Sequence, residues 1–345
     1  MLQQAIAERA FPAASAAITQ NGKLVALKAL GHFTYEDDSR EVRPETLFDL
    51  ASVSKVVATT AMAMLLYQRG LLDVEAPVTV VVPEFARNDK RCRDVTFRML
   101  LAHSSGLSAY EKLFLRGPTR AELLTAAYAV ALEADPGTRA EYSDIGFIIL
   151  GVALERIADE PLDSFCQREI FGPLGMAHTL FNPPASLKEA IPPTVDDWTF
   201  RNHIVQGEVQ DENASVLGGV AGHAGLFAAA GDLAILAHAM LNGGEPILRP
   251  DTVALFTRRE DSPPGTSRAL GWDTPSAPSQ SGRYFSPGSF GHLGYTGTSL
   301  WIDPRKQLSV TLLTNRTWPN CENQAIKEVR PRFHDAVVEA LEAKP

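Results

Sequence analysis

Ala14-Ser15-Ala16-Ala17-Ile18-Thr19-Gln20-Asn21-Gly22-Lys23-Leu24-Val25-Ala26-Leu27-Lys28-Ala29-Leu30 sets Asn-Gly between two apolar runs. That pattern predicts a tight β-hairpin, because both central positions of such a turn need positive φ and these two residues tolerate it. A second hairpin is expected near the other end. There Thr298 to Ile302 and Leu308 to Asn315, rich in β-branched residues, flank Asp303-Pro304-Arg305-Lys306-Gln307. From about Glu322 to Leu341, the apolar residues Ile326, Val329, Phe333, Val337 and Leu341 recur at helical spacing. The middle of the chain reads differently: 95–101, 120–133, 144–158 and 162–171 have helical periodicity, with Pro118, Pro136-Gly137, Pro161 and Gly172-Pro173 as punctuation. Strands at both ends around a helical middle predict an α+β fold. Its antiparallel sheet is built from both chain termini and flanked by helices, and an all-helical domain is inserted. The expected division is 1–75 with 215–345 for the sheet domain and 76–214 for the helical one, with a cleft between them.

Composition fits that size. The chain has 345 residues, 45% of them apolar and 21% charged, which is enough to bury a sizeable core and excludes disordered, collagen-like and coiled-coil chains. Its 32 basic and 41 acidic side chains leave a net charge of −9, which argues against nucleic acid as a partner. The strongly apolar stretches near 58–66 and 145–154 are only about half the length of a membrane span. The first nine residues lack the basic and apolar regions of a signal peptide, so a cytoplasmic location is expected, or a periplasmic or extracellular one if a leader has been removed. Cys92, Cys166 and Cys321 are widely spaced without histidines at metal-finger spacing, so they read as buried free thiols and not as zinc ligands.

The chemistry concentrates in Phe48-Asp49-Leu50-Ala51-Ser52-Val53-Ser54-Lys55 and the uncharged run from Val56 to Leu66, with Gly70 as its stop. A run without charge predicts a helix buried on all sides. Ser52 and Lys55, three residues apart, would share one face of its first turn. There a partly desolvated lysine is biased toward its neutral amine, which can take a serine proton, while the free N–H groups of the helix start can receive an oxyanion. The spacing alone could equally be a capping serine followed by a solvated lysine.

Further motifs decide between these readings. Ser52-Val53-Ser54-Lys55, Tyr142-Ser143-Asp144 and His292-Leu293-Gly294 resemble, in order, the three motifs of the serine β-lactamase and penicillin-binding protein superfamily. The likeness is to class C β-lactamases, D-Ala-D-Ala carboxypeptidases and family VIII carboxylesterases. Leu100 to Leu107, Gly225 to Leu233 and Leu313 to Pro319 also resemble segments of that superfamily, so the likeness runs from about 12 to 341. The resemblance implies acyl transfer through a covalent acyl-enzyme with no cofactor and no metal. Ser52 would be the nucleophile. Lys55 and Tyr142 would share its proton, the amine holding the phenol's pKa down. The backbone N–H groups of Ser52 and Tyr295 would form the oxyanion hole, and Asn315 would contact a substrate carboxylate.

Two departures from the family pattern bear on specificity. Asp144 stands where an asparagine is usual, and its carboxylate could bind Lys55 or a substrate ammonium. His292 stands where a lysine is usual, which removes a fixed charge. Together with Gly294, both are expected to line the substrate site, and the cleft should be less positive than a β-lactamase's, favouring neutral or ammonium-bearing substrates. His223, in a glycine-rich stretch, either lines the cleft or packs a loop. His103 reads as a capping or packing residue, and Asp196-Asp197 and Asp211-Glu212 as solvated loop charge without a metal-ligand pattern. Trp198, Trp272, Trp318 and Tyr295 are either rim or core aromatics. The implied substrate is a small ester, amide or β-lactam. An esterase ranks first, with weak β-lactamase activity possible; a D-Ala-D-Ala carboxypeptidase or D-aminopeptidase is the alternative, and a non-catalytic penicillin-binding-like sensor a further one.

Overall fold

Both expected hairpins lie side by side in one sheet. The computed structural model describes residues 1–343; Lys344 and Pro345, the last two residues of the expected sheet segment, lie outside them. The strands, in chain order, are β1 (Ala13–Gln20), β2 (Lys23–Gly31), β3 (Phe48–Asp49), β4 (Thr179–Phe181), β5 (Val195–Asp197), β6 (His203–Val205), β7 (Leu226–Ala228), β8 (Phe290–Leu293), β9 (Ser299–Asp303) and β10 (Leu308–Thr314). The main sheet has the order β2-β1-β10-β9-β8 and is antiparallel throughout, so the two chain ends meet at its centre, Ala14 opposite Thr314 and Gln20 opposite Leu308. Asn21 and Gly22 both take positive φ, 49° and 74°, as the two-residue turn requires.

Small side chains let helices approach both faces of β1. Ala14 and Ala16 point into a cluster with Trp301, Val310 and Leu312, covered by Val329, Phe333 and Val337 of the helix Ile326–Glu342. Ala13 and Ala17 point the other way, toward Leu233, Ala234 and Ala237 of the helix Ala230–Leu241. The alternation is the two-residue period of a strand, buried here on both sides.

The middle of the chain is helical, and it also carries three short strands between 179 and 205. The segment 144–158 is helical over its expected length, Asp144–Ala158. The helix expected over 120–133 stops at Tyr128, because Leu132 and Glu133 give their N–H groups to Asp89 and to the Gly106 carbonyl instead. Likewise the helix expected from Val95 begins at Phe97, behind the capping hydroxyl of Thr96.

A small sheet, β3-β7-β4, holds the chain just ahead of Ser52. The Leu50 N–H continues that pairing by donating to the Leu226 carbonyl. Beyond it, Val56 to Leu66 are buried in the main core and Gly70 takes φ +71° at the stop, as the uncharged run suggested. The segment is less regular than one helix, however. A 3₁₀ turn (Ala51–Val53) leads into a π-helical stretch (Lys55–Thr60) and only then an α-helix (Ala61–Gln68). Among the described residues no helix is long and apolar enough to cross a membrane.

Candidate active site

Ser52 sits on a sharp bend. Ala51 before it has φ +46°, an uncommon conformation for a residue with a Cβ, and Asp49 fixes the bend by accepting the Ala51 N–H at 2.8 Å and the Gln210 N–H at 2.7 Å. The loop after β8 is tied to the same bend. Thr296 and Thr298 donate their hydroxyls to the carbonyls of Asp49 and Leu50, each at 2.8 Å. Gly294 lies so close that a Cβ there would collide with the Leu50 carbonyl and the Thr298 hydroxyl. Arg316 donates to the Tyr295 carbonyl at 2.6 Å and Arg330 to the Gly294 carbonyl at 2.5 Å, holding the loop from the other side. The backbone N–H groups of Ser52 and Tyr295 have no hydrogen-bond partner among the described residues, and both residues border one cleft of about 740 Å³.

In that cleft the three motifs converge. The Ser52 Oγ lies 2.6 Å from the Tyr142 hydroxyl and 3.0 Å from the Lys55 Nζ. Lys55 is fully buried, and its Nζ also reaches an Asp144 Oδ1 at 2.6 Å and the His223 carbonyl at 2.9 Å. Tyr142 donates its hydroxyl to the same Asp144 oxygen at 3.0 Å. Asp144 opens the helix Asp144–Ala158, where a negative charge is stabilised, and Ser143 caps that helix by accepting the Gly146 N–H. His103 fixes the same corner: its Nδ1 accepts the Ser143 N–H at 3.1 Å, and its ring packs against Tyr142 and Phe147.

These surroundings correct the expected state of Tyr142. Burial and the Asp144 carboxylate push its phenol well above the ordinary tyrosine pKa, so at rest it keeps its proton. The depressed phenol implied by the family likeness does not arise here, because burial and the adjacent Asp144 carboxylate both disfavour a phenolate. Burial lowers the Lys55 pKa, and Asp144 acts against that shift.

His292 lines the cleft, donates from Nδ1 to the Leu293 carbonyl at 2.8 Å and leaves a buried Nε2 without a partner. Burial first, then the charges of Lys55 and Arg268, lower its pKa to about 3, so it is neutral. His223 also reaches the cleft and bonds Asp211 at 2.8 Å. Asn315 does not. It is 1% exposed and fully engaged, accepting the Ala13 N–H and donating to the Phe33 and Pro193 carbonyls, so the expected carboxylate contact is corrected to a structural stitch. Of the four aromatics, Tyr295 borders the cleft, Trp272 is core and Trp198 is exposed.

Several residues at the site had escaped sequence reading. Asp211, taken for loop charge, caps the helix Glu212–Val216 and pairs with His223; an acid directly before Glu-Asn-Ala was the available signal. Asp197 is likewise not solvated: it is buried against Arg201. Cys321, expected to be buried, is half-buried and borders the cleft. Arg268 left no pattern at all. Its guanidinium lies 5.6 Å from the centre of the Tyr142 ring, and among the described residues its only ionic partner is Asp273 at 3.7 Å. The cleft therefore holds a cation that the motifs did not show, and Asp144 is occupied by Lys55. Among the described residues no group of three or more His, Cys, Asp or Glu side chains could hold a metal ion.

Buried neutral histidines make stability depend on pH. His292 and His334 have pKa values lowered to about 3 and about 4 by burial, and His103 is lowered well below 6.5 for the same reason. Below about pH 6.5 the unfolded chain takes up protons that the folded chain refuses, so their contribution is complete above that pH and declines as pH falls, by up to about 1.4 kcal/mol per unit and per group. Asp49, raised to about 6 by burial, works in the opposite direction and offsets one of them. Urea unfolding should give a lower free energy at pH 5 than at pH 7.5; equal values would refute this account.

The comparisons agree with the motifs. A family model described as Beta-lactamase matches residues 1–330. The N-acetylmuramyl-L-alanine amidase of Bacillus subtilis (strain 168) is 32% identical over 89% of this chain and 77% of its own length. A putative D-alanyl-D-alanine carboxypeptidase of Salmonella agona (strain SL483) is 32% identical over 89% of this chain and 79% of its own. Among solved structures, EstCE1, a hydrolase with promiscuous acyltransferase activity, superposes with a TM-score of 0.79 over 97% of this chain and 96% of that one; at 23% identity this speaks for the fold.

Proposed function

The chain belongs to the β-lactamase family of serine hydrolases, and from that premise we propose that it hydrolyses small esters through an acyl-enzyme on Ser52. The observation that carries this reading is the Ser52 Oγ held 2.6 Å from the Tyr142 hydroxyl and 3.0 Å from the Lys55 Nζ at the floor of an open cleft. Ser52 attacks the carbonyl carbon, and its proton passes to the Tyr142 oxygen as Tyr142 yields its own to the Lys55–Asp144 pair behind it. The carbonyl oxygen becomes an oxyanion received by the N–H groups of Ser52 and Tyr295, donors worth about 3 to 4 kcal/mol each in acyl transfer. Tyr142 then returns a proton to the leaving alkoxide, and water repeats the sequence to release the acid. Mixing the protein with short 4-nitrophenyl esters should give a burst of nitrophenol and an acyl adduct on Ser52 by mass spectrometry. Neither burst nor adduct with any activated ester or chromogenic cephalosporin would favour a non-catalytic binding role.

A second reading, cleavage of an amide next to a free carboxylate, is favoured by Arg268. A cation with one loose ionic partner beside Tyr142 suits a substrate anion, and the two curated relatives are named as an amidase and a putative carboxypeptidase. A charge-assisted contact of this kind is worth about 10- to 100-fold. Arg268→Gln should therefore lower kcat/KM for a carboxylate-bearing peptide or ester by that much more than for its methyl ester. Equal losses on both would remove Arg268 from substrate recognition.

A further inference from the structure

Three groups next to the Ser52 proton could receive it, and they differ in what they already hold. Lys55 Nζ is surrounded by three oxygens, those of Ser52, Asp144 and the His223 carbonyl, which is the coordination of an ammonium with each proton engaged. Two of these oxygens can only accept, and one is a carboxylate at 2.6 Å, so deprotonating Lys55 would strand a buried anion. Tyr142 is a phenol that carries its proton and donates it to Asp144 at 3.0 Å. Asp144 is the one anion in the chain of contacts. Its Oδ1 accepts from both Lys55 and Tyr142, and its side chain is 16% exposed.

We propose that Asp144 is the final acceptor of the Ser52 proton, reached through Tyr142. This rests on Ser52 being the nucleophile. As the Ser52 oxygen bonds to the carbonyl carbon, its O–H breaks and its proton passes 2.6 Å to the Tyr142 oxygen; the Tyr142 proton passes 3.0 Å to Asp144 Oδ1. The carbonyl π pair becomes the oxyanion. Negative charge thus leaves Asp144 and appears on the substrate, while the Lys55 ammonium, in contact with both Ser52 and Asp144, stays charged throughout. Lys55 is then the fixed cation between the two places where the negative charge resides, and collapse of the intermediate runs the relay backward to protonate the leaving group. An asparagine at 144 could hold Lys55 and Tyr142 in place but could not accept the proton.

Asp144→Asn is therefore the decisive variant, because it restores the residue usual in the related families. If Asp144 were a positioning group alone, the amide would serve and activity would persist. The relay predicts a fall in kcat/KM on a 4-nitrophenyl ester of about 100-fold or more, within the range of a lost acid–base step. It also predicts that the acid limb of the kcat/KM profile moves to higher pH, since Tyr142 or Lys55 must then lose a proton first. Asp144→Glu, which keeps a carboxylate, should recover part of the rate and return the acid limb toward its original position. Urea unfolding of each variant separates a lost relay from a lost fold. Asp144→Asn within threefold of the parent with an unmoved acid limb overturns the relay. So does Asp144→Glu showing the same displaced limb as Asp144→Asn. Turnover of Ser52→Ala within tenfold of the parent would overturn the underlying assignment of the nucleophile instead.

Discussion

Ser52→Ala is expected to lower kcat/KM for 4-nitrophenyl acetate by about 10³-fold or more and to abolish labelling by a fluorophosphonate. The effect should be nearly pure chemistry. Among the described residues Ser52 makes its side-chain hydrogen bonds only to Tyr142 and Lys55, and its bend is set by Ala51 and Asp49, which the substitution leaves in place. Lys55 keeps Asp144 and the His223 carbonyl, so the buried charge remains paired. The unfolding free energy should change by less than about 1 kcal/mol, as for a substitution that opens no buried charge. The oxyanion N–H groups and the cleft also remain, which is why slow turnover above the uncatalysed rate is expected to persist. Turnover within tenfold of the parent, with labelling intact, would place the nucleophile elsewhere.

What could be read from the sequence divides along a physical line. The hairpins were legible because turn chemistry is local: Asn21-Gly22 can take positive φ whatever surrounds it, and it does. The buried run from Val56 to Leu66 was legible because an uncharged helix has no polar face to turn outward. The three motifs fell in order, and the fold brings them to one cleft. Everything that depended on the neighbours of a side chain was not legible. Nothing in the run after β10 says that Asn315 turns inward to three backbone groups. A lone Arg268 in a loop has no period and no partner in sequence. The proton of Tyr142 was misassigned because its direction of shift is set by burial and by Asp144 together, which only the fold juxtaposes. The 3₁₀-to-π geometry around Ser52 likewise depends on Asp49 being anchored to Gln210, 161 positions away.

Lys55→Met should cost both activity and stability, and its two losses should be separable. The side chain is fully buried, and methionine fills a similar volume, so packing is largely kept. What is lost is the cation that compensates Asp144, leaving a mostly buried carboxylate whose nearest remaining donor is the Tyr142 hydroxyl. Breaking a buried ion pair from one side costs about 3 to 5 kcal/mol, which urea unfolding would read directly. Adding Asp144→Asn should restore much of the stability, since the stranded charge is then gone, yet kcat/KM should remain at least about 10³-fold below the parent. If Lys55 were merely a packed spacer, the single variant would be as stable as the parent and the double variant no better. Recovery of stability without recovery of rate is what an ion pair kept for chemistry predicts, since a neutral pair of the same shape can hold the fold but has no charge to set against an oxyanion.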